Sequence, residues 1–166
     1  MHMCLVDRVV ERSAVESWEG LVAAPGATIV TLKHVTMGEE YLQDHFPRFP
    51  LLPGVLMMEA LVQAARTLVC GGPLASCARF EHRLLVLGRA RAVKYGAMMD
   101  PGSTLRVSVT FTGINEDASL EFRGEGTRLD SAAAVTTLQT GNEQEVPRAA
   151  VSGRFSLRPL VFPTWG

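Results

Sequence analysis

The sequence predicts an α+β fold in which an antiparallel β-sheet wraps around one long central helix. Two observations indicate this fold: an almost wholly apolar segment of helical length between residues 54 and 70, and a series of alternating, strand-like segments after it. A helix that is apolar all round must be covered, and alternating strands offer an apolar face to cover it. At 166 residues, with 47% hydrophobic and 20% charged residues, the chain is expected to form a single domain over residues 1–166.

The segments before the helix are short. Residues 5–11 mix apolar and charged side chains, which is typical of a short strand or a helical turn. Residues 13–26 are typical of a loop or a short helix that ends at a Pro-Gly turn. Residues 28–35 are β-branched and partly alternating, which favours a strand.

A proline-rich loop leads into the helix. Pro47, Pro50 and Pro53 occupy three of seven positions, and this spacing forbids a helix or a central strand there. Pro53 suits the first turn of a helix, where a missing N–H costs little. The helix is therefore predicted from residue 53 or 54 to Cys70, where two glycines and a proline follow.

The polar residues of this helix form one stripe. Glu59, Gln63, Arg66 and Thr67 are spaced by four, three and one residues, which places them on one face. An unpaired carboxylate in a buried helix is costly, so Glu59 has either a functional role or a partner in Arg66 or Gln63. Gln63 is expected to tie the helix to a neighbouring backbone segment.

After the helix the hydrophobic period becomes two. The predicted strands cover residues 83–95, 104–112, 119–129 and 149–157. Turn residues such as Asp100-Pro101-Gly102 separate them. Residues 132–140 could be a further strand or an inserted loop, and residues 141–147 are typical of a polar loop.

Composition narrows the functional classes. The net charge of −1 and 7% aromatic residues do not favour nucleic acid as a partner. Three cysteines without a C-x-x-C pair predict neither a disulfide framework nor a metal site. Glu59 and Arg66 inside the longest apolar run argue against a membrane span. With no secretory signal pattern, these features predict a cytoplasmic protein.

The segment Asp44–Gln63 combines a base, an acid and an anion site. Histidine is a residue type that suits general-base chemistry, which makes His45 a candidate base, although a lone loop histidine is more often a hydrogen-bonding filler. The first N–H groups of the helix stabilise negative charge that develops on a carbonyl oxygen. Together these features suit removal of a proton next to a carbonyl.

The string His45-Phe46-Pro47, Pro50, Pro53-Gly54-Val55-Leu56, Glu59-Ala60 and Gln63 resembles the 3-hydroxyacyl-[acyl-carrier-protein] dehydratases of the FabZ type. These are hot-dog folds, in which a sheet wraps a long helix. The resemblance extends to residues 4–9 as an opening strand, to the Asp100 turn and to the two closing strands. It covers roughly three-quarters of the chain, and the central motif is specific in both residues and spacing.

The resemblance implies a role for each residue of the motif. His45 would take the proton from C2 of a 3-hydroxyacyl thioester, and Glu59 would help the 3-hydroxyl leave by donating or positioning a proton. The backbone N–H groups of Gly54 and Val55 would hold the thioester oxygen. Phe46, Pro53, Met57 and Met58 would line the acyl path, although the methionines are equally well explained as core. No metal or other cofactor is implied, because the substrate carries its own phosphopantetheine.

The implied partners are an acyl carrier protein and a second copy of the chain. In this family the acid and the histidine of one site usually come from opposite subunits, so a homodimer or an oligomer of dimers is expected. The candidate carrier-docking residues are Arg48, Arg89, Arg91 and Lys94. For the last three, which lie on a predicted strand, a solvated face of the sheet is an equally good explanation. Pathways of fatty-acid or polyketide type are both compatible.

Three departures from the family pattern bear on function. The stretch Lys94-Tyr95-Gly96-Ala97 lacks the paired arginines that the family often has there, which weighs against carrier docking at that point. Arg48 stands where the family usually has glycine, so the loop is expected either to take a different turn or to present Arg48 at the entrance. Apparent insertions at residues 13–26 and 131–147 indicate a specialised member. Three alternatives remain open: a hot-dog thioesterase in which Glu59 activates water, a non-catalytic acyl-binding subunit, and an isomerase, which is the least favoured because such relatives usually carry aspartate at the position of Glu59.

Overall fold

The computed structural model describes residues 3–13, 23–70, 79–80, 83–130 and 148–160. Within these ranges the chain forms seven strands, one 3₁₀ turn at Glu40–Leu42 and one α-helix, α1, at Gly54–Cys70. The strands are β1 (Arg8–Arg12), β2 (Thr28–His34), β3 (Arg79–Phe80), β4 (Arg83–Tyr95), β5 (Ser103–Ile114), β6 (Leu120–Asp130) and β7 (Arg148–Pro159).

The strands form one sheet in the order β1-β2-β5-β6-β7-β4-β3, and every neighbouring pair is antiparallel. The predicted α+β class and hot-dog architecture are confirmed. The bounds of β4 agree with the sequence prediction at both ends, and β2, β5, β6 and β7 agree within two residues. Alternation of apolar residues explains the agreement for β5, whose burial also alternates, since a strand buried on one face repeats every second residue.

The helix packs against the inner face of the sheet. Phe122 on β6 lies opposite Phe111 on β5 and Phe155 on β7, and adjacent ring centroids are 5.3 and 5.4 Å apart. All three rings are fully buried beneath α1, each contributing roughly 1.5–3 kcal/mol through removal from water. Gly124 allows the close approach of helix and sheet, because a Cβ there would lie 3.1 Å from the methyl groups of Leu61.

The helix is not buried on all sides, which corrects the sequence expectation. Val55 in its first turn is 71% exposed, and Glu59 and Arg66 are only partly covered. The polar stripe faces the gap between the N-terminal segment, which Gln63 contacts, and β4, which Arg66 contacts. The sheet therefore encloses most of α1 and leaves Val55, Glu59 and Arg66 at its open side, whereas Gln63 and Thr67 are buried.

Some sequence predictions fall outside the described residues. These are most of the segment at 13–26, the ambiguous segment at 132–140 and the polar loop at 141–147. Among the helices that the structure describes, none is long and apolar enough to cross a membrane.

Candidate active site

His45 is held in its loop by three hydrogen bonds. Its backbone N–H donates to the carbonyl of Tyr41 at 3.2 Å, and its carbonyl accepts the N–H of Leu51 at 2.8 Å. Its ring Nδ1 lies 3.0 Å from the carbonyl oxygen of Leu51. Because a carbonyl oxygen can only accept, Nδ1 must carry a proton, and in the neutral ring Nε2 is then the unprotonated nitrogen. The imidazole is half-buried and stacks on Phe46, with ring centroids 4.2 Å apart.

Arg48 is accommodated in a tight turn. The N–H of Phe49 donates to the carbonyl of Phe46 at 2.9 Å, and the reciprocal bond is 3.3 Å long. Non-glycine residues with positive φ within the described chain are Ala92 and Ala118, so the turn does not require the conformation that favours glycine at Arg48. The side chain of Arg48 is exposed.

The start of α1 presents free backbone donors. The carbonyl of Pro53 accepts the N–H groups of Leu56 and Met57 at 2.9 and 3.1 Å, which closes the first turn. Gly54 and Val55 donate their N–H groups to no acceptor within the described residues. The helix dipole adds positive potential at the same place, so this end can bind a carbonyl oxygen that gains negative charge.

Tyr95, the last residue of β4, covers this helix start. A Cβ on Gly54 would lie 3.0 Å from Cε1 of the Tyr95 ring, so any larger residue would require the ring to shift. Tyr95 itself is 54% exposed. Sequence analysis assigned no role to Tyr95, because β4 and α1 meet only in the folded sheet.

Glu59 uses one oxygen for contacts within the chain. Its Oε1 accepts hydrogen bonds from Nε2 of Gln63 at 3.2 Å and from a guanidinium nitrogen of Arg66 at 3.0 Å. Both partners that the sequence offered as structural alternatives are therefore present. Its Oε2 accepts no hydrogen bond from the described residues, and the side chain is 35% exposed. One carboxylate oxygen thus remains available to a ligand.

Gln63 and Arg66 fix the orientation of Glu59. Gln63 accepts the N–H of Leu5 at 2.8 Å and donates to the carbonyl of Met3 at 3.0 Å, which confirms its predicted role in tying the helix to a backbone segment. Arg66 donates to the carbonyl of Leu85 on β4 at 2.9 Å. The carboxyl group is therefore positioned from both sides of the open face of α1.

A second network anchors the loop next to His45, and the sequence did not reveal it. The N–H of Leu52 donates to the carbonyl of Met99 at 2.8 Å. Arg128 on β6 holds the same β4–β5 turn through hydrogen bonds to the Met98 carbonyl and the Asp100 carboxylate. Arg128 and Arg148 both form ion pairs with Asp130. The hydrogen bond from Arg128, and to a smaller extent that from Arg148, lowers the pKa of Asp130.

A buried cluster supports the other end of the loop. The ammonium of Lys33, whose residue is only 5% exposed, pairs with Glu39 at 2.7 Å and with Asp7 at 3.4 Å. The Tyr41 hydroxyl lies buried beside this cluster and has no hydrogen-bond partner among the described residues. Burial, and then the charges of Glu39 and Asp7, raises the pKa of Tyr41 above its ordinary value.

The remaining predicted residues are distributed differently. Met57 and Met58 lie in the core at 5% and 6% exposure, whereas Phe46 is 52% exposed. No hydrogen bond or ion pair joins His45 to Glu59 within the described part of one chain. The exposed cations on β4 are Arg89, Arg91 and Lys94.

Comparison with known proteins agrees with this geometry. Residues 1–130 match the model of the FabA-like domain. The chain is 36% identical over 115 residues to the 3-hydroxyacyl-[acyl-carrier-protein] dehydratase FabZ of Oenococcus oeni, covering 69% of this chain and 71% of that protein. It is 33% identical over 141 residues to the protein of the same name from Streptococcus pneumoniae, covering 84% and 89%.

Solved structures share the fold at lower identity. A dehydratase heterocomplex, ApeI:P from Xenorhabdus doucetiae, matches with a TM-score of 0.51 at 18% identity over 90% of this chain and 96% of that chain. A thioesterase superfamily member from Thermus thermophilus matches with a TM-score of 0.54 at 16% identity, over 82% and 83%. The fold is the hot-dog fold, and the sequence relatives carry the name of a dehydratase, which is a hydro-lyase. The chain belongs to the FabA-like family, and the resemblance to FabZ-type dehydratases found in the sequence is confirmed.

Proposed function

We propose that the protein removes water from a 3-hydroxyacyl thioester carried by an acyl carrier protein, giving the trans-2-enoyl thioester. The observation that carries this proposal is the hydrogen bond from Nδ1 of His45 to the Leu51 carbonyl at 3.0 Å, because it leaves Nε2 as a base. The names of the sequence relatives specify the same reaction class and a carrier-bound substrate.

The proposed reaction uses groups that the chain provides. Nε2 of His45 takes the proton from C2, and the electron pair moves towards the thioester carbonyl. The N–H groups of Gly54 and Val55 stabilise the oxygen as it gains negative charge. The C3–O bond then breaks, and the leaving hydroxyl takes a proton from Oε2 of the protonated Glu59 carboxyl, so that water departs. His45 then passes the C2 proton to the Glu59 carboxylate, directly or through solvent, and both groups return to their starting states.

This chemistry needs no metal or redox cofactor, since acidity at C2 comes from the thioester itself. Phosphopantetheine arrives with the substrate. We place the reaction in the cytoplasm. We also assign it to synthesis of fatty-acid or polyketide type, because the substrate class of the relatives belongs to such pathways.

We further propose that the working unit is a homodimer, or an oligomer of dimers, in which His45 of one subunit serves Glu59 of the other. Beyond its two-residue pairing with β3, the outer edge of β4 pairs with no strand within the described residues. A long open edge invites pairing with another chain. Exposed apolar side chains near the loop and the helix start, Phe46, Phe49, Val55 and Met98, would be covered in such an assembly.

Steady-state turnover of a 3-hydroxyacyl carrier substrate tests the proposed function. We expect 2-enoyl product from the wild type and a loss of roughly 10²–10⁴-fold for His45→Ala. Glu59→Gln separates the two roles of the acid, because glutamine can position a hydroxyl but cannot donate a carboxyl proton. Glu11→Gln, at an exposed position on β1, is the matched control.

The outcome distinguishes the remaining alternatives. Release of free thiol from unsubstituted acyl thioesters, without dehydration, would identify a thioesterase. No turnover alone, together with co-purification of a second hot-dog chain, would identify a non-catalytic subunit. Full activity in His45→Ala would refute the proposed mechanism, and full activity in Glu59→Gln would refute proton donation by Glu59.

A further inference from the structure

Three arginines lie side by side across three neighbouring strands. Arg91 on β4 is opposite Arg154 on β7, and Arg154 is opposite Arg123 on β6. Directly opposite residues in an antiparallel sheet share a face and have Cβ atoms about 4.5–5.5 Å apart. We call Arg91, Arg154 and Arg123 the arginine row.

The arginine row is on the solvent face of the sheet. Its neighbours along the strands, Phe122 and Phe155, point into the core, so the arginines point outwards. All three are exposed, and none makes an ion pair within the described residues. Like charges placed directly opposite each other destabilise a sheet, so this arrangement costs stability in the isolated chain.

The surroundings extend the positive surface. Arg89, Lys94 and Arg158 are exposed on the same face, which gives six cations on β4, β6 and β7. Within the described parts of these three strands, two carboxylates, Glu121 and Glu125, share that face. Glu116 and Asp117 in the β5–β6 turn line the same cleft as Arg89 and Arg91, so the six cations face four carboxylates. Glu121 already accepts a hydrogen bond from Asn115 at 2.9 Å. A partner with negative charge would therefore meet an excess of unpaired guanidinium groups.

We propose that the arginine row, with Arg89, Lys94 and Arg158, is the docking surface for the acidic acyl carrier protein. This inference rests on the proposed function for the identity of the partner. Charge complementarity would steer the carrier to the outer face of β4, β7 and β6 and would relieve the repulsion within the row. Arg91 precedes Tyr95 by four residues, at most about 13 Å along the strand. The carrier would thus dock near the end of β4, where Tyr95 covers the helix start.

The surface differs from the one expected from the sequence. Arg89, Arg91 and Lys94 belong to it, whereas Arg48 lies on the His45 loop. Arg123 and Arg154 were not candidates, because they are separated in sequence from Arg91 and meet it only through strand pairing.

Charge reversal tests the surface in two independent assays. The first is calorimetric titration of the full-length protein with a holo carrier that bears no acyl group, which requires no turnover. We expect Arg154→Glu and Arg123→Glu to weaken binding about tenfold or more, and high salt to weaken wild-type binding. Arg106→Glu, on the same face of β5 but outside the surface, is the matched control and should bind as the wild type does.

The second assay compares a carrier-bound substrate with the corresponding pantetheine thioester. We expect the two variants to raise KM about tenfold for the carrier substrate only, and to turn over the pantetheine thioester as the wild type does. Carrier binding that is unchanged in both variants would overturn the docking proposal, even if dehydration is intact. Loss of binding in the variants, with no turnover of either substrate by the wild type, would support the surface and refute the dehydratase function. A DNA duplex, titrated in the same way as the carrier, tests whether the surface binds any polyanion. If the two variants lose as much affinity for the duplex as for the carrier, the assignment to a protein partner is overturned.

Discussion

Nδ1 of His45 lies 3.0 Å from the carbonyl oxygen of Leu51, and this contact decides which ring nitrogen can act as a base. The N–H of Leu51 in turn donates to the carbonyl of His45, so the two residues are linked in both directions. The loop between them therefore fixes the tautomer and the orientation of the ring together.

We predict that neutral His45 carries its proton on Nδ1, which ¹⁵N NMR of the imidazole measures directly. His45→Asn should keep a donor near Leu51 but lose dehydratase activity roughly 10²–10⁴-fold, because the amide is not a base. His34 offers an internal comparison, since its Nδ1 faces the Thr104 hydroxyl at 2.8 Å and a hydroxyl can donate or accept. A proton on Nε2 of neutral His45 would contradict the assigned geometry.

We predict that the effect of Gly54→Ala on stability changes sign with Tyr95. In the wild type the new methyl group would lie 3.0 Å from the ring, and such overpacking should cost about 1 kcal/mol. In a Tyr95→Ala background the same change should stabilise by about 0.5–1 kcal/mol, because alanine loses less entropy than glycine in a helix. Denaturant unfolding of the four proteins gives the coupling energy. Additive effects would show that the ring does not press on the helix start.

We predict that Tyr41→Phe stabilises the protein by about 1 kcal/mol, because it removes a buried hydroxyl without a partner. The change should also remove an alkaline instability. The pKa of Tyr41 is raised in the folded state above its ordinary value of 10.0. The protonated phenol therefore makes its full contribution to the free energy of unfolding below pH 10.0, and this contribution is lost as the pH rises above that value.

Unfolding free energy measured from pH 8 to 11 tests both effects. Tyr95→Phe, at an exposed ring, is the control for loss of a phenol. Equal pH dependence of Tyr41→Phe and the wild type would argue against burial of the Tyr41 hydroxyl.

We predict that Asp130→Asn lowers the free energy of unfolding at neutral pH. The variant should also lose less of that free energy than the wild type as the pH falls. Hydrogen bonds from Arg128 and Arg148 depress the pKa of Asp130, so its stabilisation is present above the ordinary value of 3.8 and is lost as pH falls through the lower folded value. Unfolding free energies between pH 7 and 2 measure the slope, with exposed Asp44→Asn as control. A variant with the wild-type slope below pH 4 would show that the pairing contributes nothing.

Local sequence patterns were sufficient for most of the fold. Pro53 and the glycines after Cys70 marked the ends of α1, since each removes a condition that a helix requires. Alternation marked β5 to within two residues at both ends. The exposure of Val55 was not predictable, because composition shows that a helix is apolar but not which turn the sheet leaves uncovered.

The sequence identified the candidate site residues but not their supports. Glu59, Gln63 and Arg66 share one helix, so their contacts follow from spacing alone. Arg128 and Asp100 are 28 residues apart and meet only because β6 passes beside the β4–β5 turn. The arginine row is likewise a product of register, and a slip of one residue in β7 would turn Arg154 to the other face.

The contacts of Gln63 have a consequence for the evolution of this chain. Gln63 contacts Met3 and Leu5 only through their main-chain atoms, and its amide also holds Glu59. The side chain of Met3 is 48% exposed and takes no part in these bonds, whereas Leu5 is 1% exposed and is fixed by the core. Position 3 can therefore diverge freely among descendants while its backbone still steadies the acid, so a physical dependence persists there where substitution records would show none.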